Sequence, residues 1–122
     1  MIDPNNVHHA WVTYSGYDFN TPSQPGHVFS VSWSGSGFAT WTDISFNLPK
    51  IPVNSVVFDS VTGDLYAGSD FVVMRLPAGS STWTISGTGM PYVVSSALNI
   101  LPGSRVLYSA THGRSVWKLN LP

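Results

Sequence analysis

The chain has 122 residues and a mass of 13.2 kDa, enough for one domain but not for a catalytic domain with a separate partner domain. With 43% hydrophobic, 13% aromatic and only 9% charged residues, it can bury a core and lies far from the profile of a disordered chain. Five basic against six acidic residues leave a formal charge of -1, which provides no electrostatic footprint for nucleic acid or for an anionic membrane surface.

Met1 to Asn6 carries neither a basic n-region nor an apolar h-region, and no apolar run reaches the ~18 residues of a membrane span, so a soluble chain without an export signal is expected. Strand candidates then follow as short runs rich in Val, Tyr, Phe and Trp, bounded by Gly, Pro, Asn, Asp and Ser. Ala10 to Ser15, His27 to Trp33 and Thr40 to Ser45 form a first set of three. Between the first two lies the long polar stretch from Tyr17 through Asp18, Phe19 and Asn20 to Gly26, a place where ligand contacts are expected on a rigid sheet scaffold. Its alternative use is to cover a neighbouring sheet. Val53 to Asp59, Asp64 to Ser69, Val72 to Leu76 and Thr82 to Ser86 make a full set of four, punctuated by Thr62-Gly63-Asp64 and by Pro77-Ala78-Gly79-Ser80. Val94 to Leu101, Arg105 to Thr111 and Ser115 to Leu119 close the series. With nine Pro and eleven Gly scattered at short intervals, helix content near zero is expected.

The sets repeat. Thr40-Trp41-Thr42 recurs as Thr82-Trp83-Thr84, Leu65-Tyr66 as Leu107-Tyr108 and Val56 as Leu98, all at an offset of 42 residues. A period of about 40 to 45 residues made only of strands is the mark of a four-stranded propeller blade. The expected fold is therefore all-β, with about two and a half four-stranded antiparallel blades: residues 1–48 lacking the first strand, 49–91 complete, and 92–122 lacking the last. Trp41 and Trp83, at equivalent repeat positions, are expected to be buried alike. Two and a half blades cannot close a ring, so the open edges and faces call for copies of the chain pairing edge to edge, or for the remainder of a longer propeller.

Gly26-His27-Val28-Phe29, the run Ser34-Gly35-Ser36-Gly37-Phe38-Ala39-Thr40-Trp41-Thr42-Asp43, Asn47-Leu48-Pro49 and the closing Ala110-Thr111-His112-Gly113-Arg114-Ser115-Val116-Trp117 resemble the BNR or Asp-box repeat of sialidase-like and xyloglucanase-like β-propellers. The family box reads Ser-x-Asp-x-Gly-x-Thr-Trp; here Ser36 replaces the Asp and Phe38 the Gly, and the second copy keeps only Ser81-Thr82-Trp83. Ser makes the same local backbone bond more weakly, so the turn is expected to persist. The resemblance implies a propeller of glycoside-hydrolase-like type, an extracellular location and a glycan as the possible ligand. It does not imply catalysis, because the box is a structural device.

The chemistry is sparse. All six acids are Asp, so the Glu-activated Tyr nucleophile of the resembling sialidases is missing, although three Arg and five Tyr are present. Asp59 and Asp70 are the candidate carboxylates for a two-carboxylate glycoside hydrolysis, which needs them ~5 to 10 Å apart; a turn-forming role for Asp59 is the competing reading. The absence of Cys removes thiolate metal sites and Cys nucleophiles, and His8-His9, His27 and His112 have no metal-binding spacing, so no metal or cofactor is expected. Trp33, with Tyr14, Tyr17, Phe19 and Asn20 near the long loop, is the expected sugar-facing platform; its alternative is packing against a neighbouring blade. The reading is a non-catalytic structural or carbohydrate-binding portion of a propeller. Its rivals are an active glycoside hydrolase using paired Asp, and a protein-interaction module.

Overall fold

Alternation of side chains across extended segments decides the architecture, because each strand must bury whichever face is apolar. The computed structural model describes residues 1–20, 26–35 and 37–122; part of the long connection after Tyr17, and Ser36 of the box-like turn, lie outside the described residues. The chain forms eleven strands: β1 (Ile2–Asp3), β2 (Asn6–Thr13), β3 (Val28–Ser32), β4 (Thr40–Asp43), β5 (Val53–Phe58), β6 (Leu65–Ser69), β7 (Val73–Leu76), β8 (Thr84–Ile85), β9 (Ser95–Leu101), β10 (Val106–Thr111) and β11 (Val116–Asn120). A single 3-10 turn, Asp18–Asn20, is the only helical element among the described residues.

The strands make three antiparallel sheets in the orders β1-β2-β3-β4, β5-β6-β7-β8 and β11-β10-β9. Each is a meander of sequence neighbours, and among the described residues none closes on itself. The first sheet is corrected from three strands to four. β1 supplies the outer strand, with Ile2 opposite Ala10, and Met1 and Trp11 exchange both backbone bonds at 2.8 and 2.9 Å.

Two cores separate the three sheets. Trp11 and Val28 of the first sheet pack with Val56, Leu65, Ala67, Met74, Leu76 and Trp83 of the central one, and Trp11 stacks on Phe58 at 4.6 Å between ring centroids. On the opposite face of the central sheet, Tyr66, Val73 and Val57 pack with Leu98, Ile100, Leu107, Leu119 and Leu121. The central sheet is thus apolar on both faces, which is why all five residues of β6 are buried. Backbone approaches closely where β5 and β6 meet β9: a Cβ built on Gly68 would lie 2.5 Å from Ser95 Oγ and 3.1 Å from the Ser95 backbone oxygen. Ser95 in turn bonds Ser109 Oγ at 2.8 Å, and Leu98 N donates to Ser55 Oγ at 2.8 Å, so polar groups between these sheets are satisfied across the interface.

Trp83 and Trp41 occupy equivalent strands but not equivalent environments, which corrects the expectation of joint burial. Trp83 is 2% exposed; its Nε1 donates to Ile44 O at 2.9 Å, and Asn47 bonds both its backbone N and its backbone O. Trp41 is 51% exposed because the first sheet has no sheet over that face. Trp83→Ala should therefore cost about 3 to 5 kcal/mol and Trp41→Ala less than about 1 kcal/mol, measured by urea denaturation in dilute solution. Gly68→Ala should destabilise by about 1 to 3 kcal/mol in the same assay, since Ser95 backbone cannot give way.

Candidate functional site

Antiparallel meanders put successive connections at alternating ends, so the chain divides its polar chemistry between two ends of the stack. At one end are the β5–β6 and β9–β10 turns; the other gathers the β2–β3, β6–β7 and β10–β11 connections together with the starts of β5 and β9.

The first end is held by ion pairs. Asp59 is 1% exposed; its Oδ1 accepts from Val61 N at 3.0 Å, its Oδ2 from Thr62 Oγ1 at 2.8 Å, and Arg105 reaches across from the third sheet to bond both carboxylate oxygens. Hydrogen bonding from the guanidinium lowers the Asp59 pKa to about 2 against the opposing effect of burial. Arg105 also donates to Pro122 O, so this pair ties the β5–β6 turn to the end of the chain. Asp64 is held similarly: Arg75 donates from Nε at 2.8 Å and Ala78 N at 2.9 Å.

These contacts overturn Asp59 and Asp70 as a carboxylate pair. Asp59 N bonds Asp64 O and Asp70 N bonds Pro52 O, which places the two at opposite ends of the β5–β6 hairpin. The six residues from Asp64 to Asp70 span roughly 20 Å of strand, beyond any two-carboxylate geometry. Two of the three Arg are engaged by Asp59 and Asp64, leaving no Arg triad free to clamp a ligand carboxylate.

The other end is open and aromatic. Tyr17 OH donates to Asp70 Oδ2 at 3.2 Å, and Asn54 Nδ2 donates to Asp70 Oδ1 at 3.0 Å and to Ser95 O at 3.3 Å, a chain that links all three sheets. The bond to Asp70 raises the Tyr17 pKa, the opposite of what a phenolate nucleophile requires. Next in sequence, Phe71 meets Tyr92 with ring centroids 5.5 Å apart, and both line a groove of about 420 Å³ with Pro49, Ile51, Met74 and Ile85. Phe71 is 55% and Tyr92 72% exposed, unusual for paired aromatic rings without a ligand.

The expected platform divides between the two ends. Tyr14, whose N donates to His27 O, and the exposed Tyr17, Phe19 and Asn20 are at the open end; Tyr14 packs edge-on against Phe29. Trp33 is at the far end of β3, where its N donates to His8 O and its ring meets His8 at 6.0 Å. There it lines a separate hollow of about 340 Å³ with Asn6, His8, Ser34, Phe38 and Thr40. The sequence reading missed Phe71, Tyr92 and Asn54. For Phe71 and Tyr92 a signal existed: large aromatic residues sit in short connections where no strand can bury them.

Among the described residues no three His or Asp converge as a metal site. His9 instead bridges Asp3 and Ser30 at 2.8 Å each, and Gly113 takes a φ of 83° in the β10–β11 turn. Comparison with protein-family models, curated proteins and solved structures finds no match.

Arg105→Ala should leave the buried Asp59 carboxylate without its counter-ion and cost about 2 to 3 kcal/mol at neutral pH. The sign of the pH effect follows from the depressed folded-state value. The pair's contribution is complete above the ordinary Asp value of 3.8 and is lost as pH falls towards about 2. Urea melts of wild type and Arg105→Ala at pH 7 and pH 2.5 should therefore converge at the lower pH.

Proposed function

We propose that the chain is a non-catalytic β-propeller unit of the Asp-box kind that binds carbohydrate at its open, aromatic end. The observation that carries this reading is the Phe71–Tyr92 pair walling a groove beside the Tyr17–Asp70–Asn54 chain. Sugars offer axial C–H faces to aromatic rings and hydroxyls to amides and carboxylates, and this end supplies both kinds of group next to one another. Its polar members come from three sheets and need no rearrangement to be presented, which limits the ordering cost of binding.

The propeller part rests on the 42-residue repeat and on the stacking of three meander sheets through apolar faces, the arrangement radial blades require. The resemblance of Ser34 to Trp41 and of Ser81-Thr82-Trp83 to decayed Asp-boxes agrees with it. In the second copy, Ser80 Oγ accepts from Thr82 N at 3.0 Å, the local bond by which such a turn is fixed. The separation of Asp59 from Asp70 favours binding over hydrolysis.

Calorimetry against plant and bacterial oligosaccharides, chosen by a glycan array, tests the reading. Phe71→Ala and Tyr92→Ala should each weaken binding about tenfold, or 1.4 kcal/mol, without a change in fold, and no reducing ends should be released. Binding that survives both substitutions and disappears with Trp33→Ala would move the sugar to the opposite end; binding to no glycan at all would end the proposal.

A further inference from the structure

Register assigns every position of one sheet to a counterpart in the next. Thr42 and Thr84 are equivalent by the 42-residue offset, so their partners Ser30 and Arg75 are equivalent, and then Trp11 and Tyr66; Tyr66 maps onwards to Tyr108. Each sheet therefore has a near face, turned towards the preceding sheet, and a far face, turned towards the following one.

Both internal junctions join the same two faces. In the first, the far-face Trp11 stacks on the near-face Phe58. In the second, the far-face Tyr66 packs in one cluster with Ile100, the counterpart of Phe58. Two faces are left over. The near face of the first sheet carries Ile2, Val12, Phe29, Val31 and Trp41, the counterparts of Phe58, Ala67, Met74, Leu76 and Trp83, all of which lie in the first core. Ile2 is 66% exposed against the burial of its counterparts' surroundings. The far face of the third sheet carries Tyr108, the third member of the Trp11–Tyr66 series, together with Val116, Ala97 and Ala110. Val116 is 63% exposed, whereas its counterpart Val73 is buried.

We infer that the near face of the first sheet of one copy docks on the far face of the third sheet of a second copy, continuing the junction that the chain already makes twice. The occupant is specified by chemistry on both sides: an uncovered near face lacks an aromatic far-face residue over Ile2, and Tyr108 is such a residue without a sheet over it. Asp43 on the first surface and Lys118 on the second add opposite charges, since Asp43 shares the face of Phe29 and Lys118 that of Tyr108. The junction is heterologous, so successive copies add in one direction until the rotation closes a ring. It does not depend on the sugar-binding reading, because the open end and the two outer faces are different surfaces.

Light scattering coupled to size exclusion tests it on the full chain. Wild type at about 100 μM should elute as multiples of 13.2 kDa and dissociate on dilution. Trp41→Glu and Tyr108→Glu, both on exposed or half-exposed positions, should each give a folded 13.2 kDa monomer by circular dichroism and a cooperative melt. Mixed in equal amounts they should recover a two-copy species, since each retains the face the other has lost, and this recovery separates a near-to-far junction from any edge-to-edge or like-to-like contact. A monomeric wild type, oligomers that persist in either variant, or a mixture that remains monomeric would each overturn the inference; the first would assign the outer faces to further sheets of a longer chain.

Discussion

The structure depends on the burial of β6 from both sides. A strand sandwiched between two sheets must carry apolar or neutral groups at every position, and Leu65, Tyr66, Ala67, Gly68 and Ser69 satisfy that demand while alternating large and small. The alternation is directional. Leu65 and Ala67 face the first sheet with Met74, and Tyr66 faces the third with Val73, so a slip of one residue would exchange the two cores and place Tyr66 where Ala67 now admits the first sheet. Gly68 then sets how closely the third sheet approaches, because a side chain there would meet Ser95 backbone. The stacking is accordingly specified in register and in distance by residues of one five-residue strand.

Stacking also explains which parts of the fold were legible in the sequence. All ten strands of the sequence reading recur, since each is a β-branched or aromatic run closed by a turn such as Thr62-Gly63 or Pro77-Ala78-Gly79-Ser80. β1 was not legible because Ile2–Asp3 is two residues long and too short to alternate. The misjudged Trp41 has a different cause: a repeat offset reports the position of a residue in its sheet, whereas burial depends on what lies over that sheet. Trp83 has Ile44 and Asn47 above it, and Trp41 has no counterpart of them among the described residues.

The candidate site was less legible, for reasons of sequence distance. Arg105 is 46 residues from Asp59, and no local pattern announces that the two meet across a junction between sheets. The chain Tyr17–Asp70–Asn54 likewise joins residues 53 and 16 positions apart. The division of the platform, by contrast, was deducible. β2 and β3 are antiparallel, so a connection leaving the end of β2 lies beside the start of β3, and Trp33, just past its end, must lie at the opposite edge of the sheet.

The two ends of the stack contain the same residue type put to opposite uses. Asp59 and Asp64 are each bonded by a guanidinium, which satisfies their charge inside the protein and leaves them as fasteners between a turn and a neighbouring strand. Asp70 is bonded only by neutral donors, a phenol and a carboxamide, at a half-buried position beside exposed rings. A carboxylate with neutral partners retains lone-pair capacity for further hydroxyl donors, because two oxygens offer about four acceptor sites and Tyr17 and Asn54 occupy two. Neutral polyhydroxylated ligands suit such a group better than anionic ones, which would meet its charge without a cation nearby to offset it. The distribution of the chain's few Arg residues, spent at one end and absent from the contacts of Asp70 at the other, thus directs the open end towards uncharged sugar hydroxyls and away from sialosides or uronates.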